Sequence, residues 1–209
     1  MINVRFPDGA IRNYEIGVTP MAIAKSISEG LAKKVIAASV NGVVCDASTP
    51  LKTDISLKLH TWEDSEAKST FWHSSAHVLG QTLENEYGVQ LCHGPPTDSG
   101  FFYDSYAGHD IFNEKDYPAI EKVAKKIVDD KQEFYRLVLT KEEALRLFGS
   151  NPFKVSLISN KIPDGGKVTA YRCGNLIDLC TGPHIPSTKI IKAFKVMKNS
   201  SAYWLGKAE

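Results

Sequence analysis

The chain has 209 residues and a formal net charge of +1, with 25 Lys and Arg residues against 24 Asp and Glu residues. This balance excludes a general electrostatic attraction for nucleic acid, so any such partner must bind a local patch. No apolar run approaches the length of about eighteen residues that a membrane-spanning helix needs. The four cysteines form no C-x-x-C pair, and no signal peptide is recognised, so we expect reduced thiols in a cytoplasmic compartment.

The first sixty or so residues predict a small α+β roll of the ubiquitin-like kind. Two segments of alternating hydrophobicity, 2–6 and 11–16, flank Asp8-Gly9, a hairpin turn of the type that needs positive φ. Thr19 as N-cap and Pro20 as the first helical residue then mark the start of a helix. Two further strands, at 35–40 and 55–59, complete the roll.

The polar stretch 61–69 lacks periodicity and predicts the boundary between this roll and a second domain. A helix is predicted to follow, with Thr70 as its N-cap and Gly88 as its terminator. His73 and His77 lie four residues apart in this helix, so both imidazoles belong to one helical face.

Strands and helices alternate in the rest of the chain. The predicted elements are a turn into an aromatic strand at 99–104, an amphipathic helix opened by Asp116 and Pro118 whose apolar face extends to Phe134, a helix from the capping box at 140–143 to Gly149, and strands at 153–158 and 168–172.

A second group of reactive side chains follows the last of these strands. Cys180 and His184 are four residues apart, but Gly182 and Pro183 between them favour a loop. Together with the histidine pair of the preceding helix, they supply four groups that can bind a metal, hold a water or transfer protons. On spacing alone, ordinary partly buried histidines and an inert cysteine stay an open alternative.

The most basic run of the chain lies near its end, in a segment at 190–197 that suits either a strand or a short helix. Its lysines recur every third residue and are followed by an aromatic pair: Lys189, Lys192, Lys195, Lys198, Tyr203 and Trp204. A solvated face and a phosphate-contacting edge both explain such a run, and the aromatic pair favours nucleic acid.

Five motifs, in this order, resemble the N-terminal half of a threonyl-tRNA synthetase: WHSSAH at 72–77, GFFYD at 100–104, FKV at 153–155, DLCTGPH at 178–184 and KNSSAYW at 198–204. The resemblance covers essentially the whole chain, and the stretch 171–178 is closest to eukaryotic cytosolic members. It implies a TGS domain of β-grasp fold at 1–62. It also implies a larger α+β editing domain at 63–209, in which a sheet packs against helices.

The resemblance implies an N-terminal fragment or a stand-alone editing piece that does not aminoacylate. The ATP-binding motifs, the zinc-bound threonine pocket and the anticodon-binding domain of the family have no counterpart here, so we expect no cofactor in this chain. The implied partners are the acceptor end of the threonine tRNA carrying serine and the remainder of the synthetase. No membrane is involved.

The implied reaction is hydrolysis of the ester between serine and this tRNA. A methyl group contributes only about 1–3 kcal/mol of discrimination, so a second, smaller site must remove the misfit product. By resemblance, His73 places or deprotonates a water, and Lys154 holds a second water or the oxyanion. Asp178 is the counter-charge for the substrate ammonium. His77, Cys180 and His184 complete the cavity, and Cys180 as a covalent nucleophile is a less favoured alternative.

Two further sets of side chains are predicted to contact the substrate or the tRNA. The residues assigned to substrate binding are Tyr103, Gly94 and Pro95. The residues assigned to tRNA contacts are Lys192, Lys195, Asn199 and Tyr203.

Alternatives from other classes stay open. Two histidines, a cysteine and a third histidine can bind zinc tetrahedrally, as in alanyl-type relatives, whereas the threonyl resemblance implies a metal-free site. One rival function is a zinc-dependent, free-standing aminoacyl-tRNA deacylase, against which Lys154, the Tyr103 strand and the roll argue. The other is a non-catalytic RNA-docking module.

Overall fold

The computed structural model describes residues 1–108, 112–201, 203 and 204. Its contacts divide the chain into two units: the first comprises residues 1–74 and 182–186, and the second comprises 75–181 and the residues from 187 onward. One helix, α3 (Ser65–Tyr87), starts in the first unit and ends in the second. None of the described helices combines the length and the apolarity needed to cross a membrane.

The first unit is built on a five-stranded sheet with the order β2-β1-β5-β3-β4. Strand β1 pairs antiparallel with β2 and parallel with β5. The parallel pair joins the β1–β2 hairpin to the other three strands of the sheet. This arrangement confirms the predicted α+β roll. The elements are β1 (Ile2–Arg5), β2 (Ile11–Tyr14), α1 (Pro20–Ile27), α2 (Glu29–Ala32), β3 (Ala37–Val40), β4 (Val43–Cys45), β5 (Ile55–His60) and the first ten residues of α3 (Ser65–Tyr87).

Local sequence signals account for the start of this roll. Gly9 has a φ of 86° in the β1–β2 turn, a left-handed conformation that glycine adopts without strain. Thr19 caps α1, since its side-chain oxygen accepts a hydrogen bond of 3.1 Å from the backbone N–H of Ala22. Val4 and Ile23 are fully buried between the sheet and α1, and this burial fixes the helix on the sheet.

The second unit combines an antiparallel three-stranded sheet, β10-β11-β12, with two short strand pairs, β6-β9 and β7-β8. Ala144 of α5, Phe148 directly after it and Ile158 of α6 are buried in one cluster with Val168 and Ala170 of β11. The elements are the rest of α3, β6 (Gln90–His93), β7 (Pro96–Thr97), β8 (Gly100–Phe101), β9 (Asp104–Tyr106), α4 (Tyr117–Asp129), β10 (Phe134–Thr140), α5 (Lys141–Leu147), α6 (Pro152–Lys161), β11 (Lys167–Cys173), β12 (Leu176–Leu179) and a 3-10 turn (Thr188–Ile190).

The predicted strand at 153–158 is wrong, because this stretch lies within α6. Asn151 caps the helix: its side-chain oxygen accepts the backbone N–H groups of Phe153 and Lys154, each at 3.0 Å. Pro152 occupies the first helical position, where its missing N–H is not needed. The helix therefore starts at Pro152 and places the Lys154 side chain in its first turn.

Two other predicted boundaries change. Helix α3 begins at Ser65, five residues before the predicted N-cap, so the second half of the polar stretch 61–69 is helical. Thr70 instead donates its hydroxyl to the carbonyl of Glu66 at 2.8 Å, which is a contact inside a helix. Phe134 does not extend the apolar face of α4, because the helix ends at Asp129 and Phe134 opens β10.

The segment 190–197 is neither a strand nor a regular helix. After the 3-10 turn, residues 191–201 run without repetitive secondary structure. One residue of the predicted KNSSAYW motif, Ala202, lies outside the described residues.

Candidate active site

Four side chains of the second unit form a buried polar cluster. Lys154 donates from its ammonium to Oδ1 of Asp178, and Tyr103 donates its hydroxyl to Oδ2 of the same carboxylate. Lys154 also lies 3.2 Å from the Tyr103 hydroxyl, and Nε2 of His77 lies 3.5 Å from Oδ2 of Asp178. Lys154 is 4% exposed and Asp178 is 1% exposed, so this ion pair is removed from solvent.

The cluster draws on four separate elements of the fold. His77 comes from the middle of α3, and Lys154 comes from the first turn of α6, where the Asn151 cap fixes the backbone. Asp178 is on β12, which pairs with β11, and Tyr103 lies between β8 and β9. Residues distant in sequence therefore meet at one buried point.

The side chains of this cluster shift one another's pKa values. Burial raises the pKa of Asp178, but the positive charge of Lys154, the neighbouring His77 and the hydrogen bonds from Lys154 and Tyr103 outweigh it, so the pKa falls below its ordinary value. Burial and the neighbouring Asp178 charge raise the pKa of Tyr103 well above its ordinary value. At neutral pH the carboxyl is therefore ionised, while the phenol keeps its proton and donates it.

One donor of Lys154 is left for a ligand. An ammonium carries three N–H donors, and Asp178 and Tyr103 are partners for two of them. Among the residues that the structure describes, the third has no partner. A buried cation with a spare donor is suited to stabilise negative charge that develops on an oxygen.

Two glycines leave the space that the ring of Tyr103 occupies. A Cβ atom on Gly94 would come within 2.4 Å of the Tyr103 ring, and one on Gly80 would come within 2.8 Å. Both distances are shorter than carbon atoms can approach, so both positions need glycine. Gly94, predicted to bind substrate, thus supports Tyr103, and Pro95 follows it as a half-buried residue. Gly80 was not predicted; a glycine in mid-helix was its only sequence signal.

A small pocket of about 210 Å³ adjoins this cluster within the second unit. Its wall includes Lys154 and Asp178 together with Glu84, Asn151 and Asn175. Burial and the Asp178 charge raise the pKa of Glu84. Glu84 was not predicted as a site residue, although it lies two turns after His77 on α3 and therefore on a similar face of the helix.

The first unit holds the other two predicted imidazoles. The rings of His73 and His184 have their centroids 4.5 Å apart and are tilted by 34°. His184 is 1% exposed, and its Nδ1 lies 2.9 Å from the hydroxyl of Ser74. The backbone N–H of His184 donates to Oδ1 of Asp46 at 2.7 Å. Neither Ser74 nor Asp46 was predicted as a site residue, since no local pattern indicates a contact across more than a hundred residues.

Two family matches cover separate parts of this chain. Residues 2–61 match the TGS domain, and residues 168–203 match the threonyl and alanyl tRNA synthetase second additional domain. The chain is 51% identical to the probable threonine–tRNA ligase 1, cytoplasmic, of Dictyostelium discoideum, over 100% of this chain and 29% of that protein. The chain is related to the threonyl-tRNA synthetases.

Other relatives extend this finding. The threonine–tRNA ligase 1, cytoplasmic, of Homo sapiens is 46% identical over 100% of this chain and 29% of its own length. The threonine–tRNA ligase of Flavobacterium psychrophilum is also 46% identical, over 99% of this chain and 32% of its own length. The predicted resemblance to threonyl-tRNA synthetases is confirmed, and this chain spans about a third of the length of these relatives.

The four side chains that residue type and spacing offer as metal ligands are divided between the units. His73 and His184 belong to the first unit, and His77 and Cys180 belong to the second. Cys180 is half-buried, and its backbone N–H donates to the carbonyl of Thr169 at 3.2 Å, where the chain leaves β12.

Both lysines that were predicted to contact tRNA have partners within the protein. Lys195 forms an ion pair with Glu121 of α4 at 3.0 Å, and Lys192 donates to the carbonyl of Lys189, also at 3.0 Å. Lys195 is nevertheless largely exposed, with 69% of its side chain accessible. Exposed ion pairs of this kind exchange readily with solvent and other charges.

The other two predicted tRNA contacts differ from each other. Asn199 accepts the hydroxyl of Tyr117 and donates to the carbonyl of Phe112, both at 2.7 Å, so it fastens the terminal segment to the unit. Tyr203 is 68% exposed and presents an aromatic face to solvent.

Proposed function

We propose that this chain hydrolyses the ester that joins serine to the threonine tRNA and spares the threonyl ester. The observation that carries the proposal is the buried Lys154 ammonium, held by Asp178 and Tyr103 with one donor left over. The relationship to threonine–tRNA ligases supplies the substrate class. The partners are then the charged acceptor end and the rest of a synthetase, in the cytoplasm.

Ester hydrolysis needs what this cluster offers. A water attacks the ester carbonyl, and negative charge develops on the carbonyl oxygen as the tetrahedral intermediate forms. The spare N–H of Lys154 stabilises that charge. Asp178 keeps the ammonium in place and is itself already engaged with Lys154 and Tyr103. The predicted role of Asp178 as counter-charge for the substrate ammonium stays a prediction.

The imidazoles supply the proton transfer. We assign His73 to place or deprotonate the attacking water, with His184 beside it, while His77 and Cys180 shape the site of reaction. A threonine side chain carries one methyl more than serine, so a close-fitting site excludes it sterically. This exclusion complements the weak discrimination of about 1–3 kcal/mol that a methyl contributes to a binding pocket.

We further propose that the reaction needs no metal, because Lys154 provides the positive charge that a Lewis acid would supply. Elemental analysis of the purified chain checks this directly. Stoichiometric zinc that is lost in His73→Ala would contradict the proposal and favour the zinc-dependent deacylase.

The experiment compares hydrolysis of serylated threonine tRNA by the wild-type chain and by Lys154→Met under single-turnover conditions. Loss of one oxyanion donor lowers the rate by about 100- to 1,000-fold. Lys141→Met is the matched control, because Lys141 also pairs with a carboxylate, that of Asp164 at 2.8 Å, but the Asp164 side chain is exposed to solvent. Wild-type rates in Lys154→Met would refute the assignment. Tight tRNA binding without release of serine would favour the docking module.

A further inference from the structure

We propose that Asp46, a residue of the TGS roll, is a positioning residue for the hydrolysis, acting through His184. The inference rests on the proposed function. Asp46 directly follows β4 and lies within the segment that matches the TGS domain. It is 8% exposed, and its carboxylate accepts the backbone N–H of His184 at 2.7 Å across 138 residues of sequence.

A charged acceptor on a buried N–H makes a strong contact. Hydrogen bonds to ionised groups are about twice as strong as those between neutral groups, and a buried donor that loses its partner is destabilising. The next N–H along the loop, that of Ile185, donates to the Ser74 hydroxyl at 3.0 Å. Two consecutive backbone groups of the loop 182–186 are therefore fixed, one by the roll and one by α3.

This fixation sets the protonation pattern of the imidazole. The Ser74 hydroxyl has a single proton, which it donates to the carbonyl of Thr70 at 2.8 Å. Toward Nδ1 of His184, 2.9 Å away, Ser74 then acts as an acceptor. We therefore assign the ring proton of neutral His184 to Nδ1, which makes Nε2 the basic nitrogen. Such a tautomer can accept a proton from water or from the neighbouring His73.

Loss of the Asp46 carboxylate would release the loop at His184 and weaken this arrangement. A displacement of about 1 Å at a reacting group can lower a rate by about 100-fold. We therefore expect Asp46→Ala to lower kcat by about 10- to 100-fold with little change in KM. Asp46→Asn retains an oxygen acceptor of the same reach and should stay within about threefold of wild type.

The control must weaken the roll without touching the loop. Asp54 is suitable, because its carboxylate accepts two hydrogen bonds from Asn3, at 2.8 and 2.9 Å, in the same unit. Asp54→Ala should lower the unfolding temperature and leave kcat unchanged. If Asp54→Ala lowers kcat as much as Asp46→Ala, or if Asp46→Asn is as slow as Asp46→Ala, the positioning role is overturned.

A second measurement does not depend on activity. Nitrogen-15 NMR of the His184 ring reports which nitrogen carries the proton, and hydrogen exchange reports the protection of its backbone amide. We expect the Nδ1-protonated tautomer and a protected amide in the wild-type chain, and mixed tautomers with at least tenfold faster exchange in Asp46→Ala. Unchanged spectra and exchange in Asp46→Ala would refute the positioning role, whereas an inactive wild-type chain with the expected spectra would refute only the proposed function.

Discussion

Replacing Lys154 with methionine removes the cation of a buried ion pair and keeps most of the side-chain volume. In the wild-type chain, the carboxylate of Asp178 is 1% exposed and has Lys154, Tyr103 and His77 around it. Removing one partner of a buried pair costs about 3–5 kcal/mol, because the remaining charge is left uncompensated. We expect Lys154→Met to lose that much free energy of unfolding at pH 8.

The loss should depend on pH with a definite sign. In the wild-type chain the pKa of Asp178 is lowered, so its contribution to stability is present above the ordinary carboxyl pKa of about 3.9 and is lost as pH falls further. In Lys154→Met the cation is gone and burial dominates, so the pKa rises above that value. The stability of the variant should therefore fall as pH increases from about 4 toward 8.

Urea unfolding at pH 5 and pH 8 measures both effects. Lys154→Met/Asp178→Asn should recover most of the lost stability, because the uncompensated charge is gone. Lys141→Met serves again as the surface control and should change stability far less, since the Asp164 side chain is 99% exposed. A Lys154→Met variant within about 1 kcal/mol of wild type, with no dependence on pH, would refute the reasoning about burial.

Two other variants test the packing of Gly94 against Tyr103 and the tRNA contacts of the basic run. Gly94→Ala should cost about 1–3 kcal/mol of unfolding free energy in urea titrations, because its Cβ would overlap the Tyr103 ring at 2.4 Å. Gly30→Ala is the control, because the Cβ of its alanine would meet nothing closer than 3.9 Å. An equal effect of both substitutions would contradict the packing argument. Lys192→Ala/Lys195→Ala should flatten the salt dependence of tRNA affinity by about two ion equivalents, measured by filter binding between low and high salt; an unchanged slope would make these lysines a solvated face.

Local signals in the sequence predicted the elements that depend on them. The Asp8-Gly9 turn, the Thr19 cap and the Thr140 capping box appear in the structure, because each is set by contacts within about four residues. At 153–158 the alternation of apolar residues wrongly predicted a strand. There the Asn151 cap and Pro152 were the stronger signal, and they start a helix.

The candidate site was only partly accessible from the sequence. Resemblance pointed to His73, Lys154 and His184, but it did not show what holds them. The contacts from Lys154 to Asp178 and from His184 to Asp46 join residues 24 and 138 positions apart, and they exist only once the chain has packed. No periodicity or spacing reports such pairs, so these contacts, and Asp46 as a supporting residue, emerge from the structure alone.

The central claim is that this chain removes serine, and not threonine, from the threonine tRNA. The most direct measurement is the ratio of kcat/KM for the serylated and the threonylated tRNA, determined with the same preparation of the chain. We predict a ratio of at least about tenfold in favour of serine, as the exclusion of one methyl group requires. Equal rates for the two esters, or release of neither, would contradict the account.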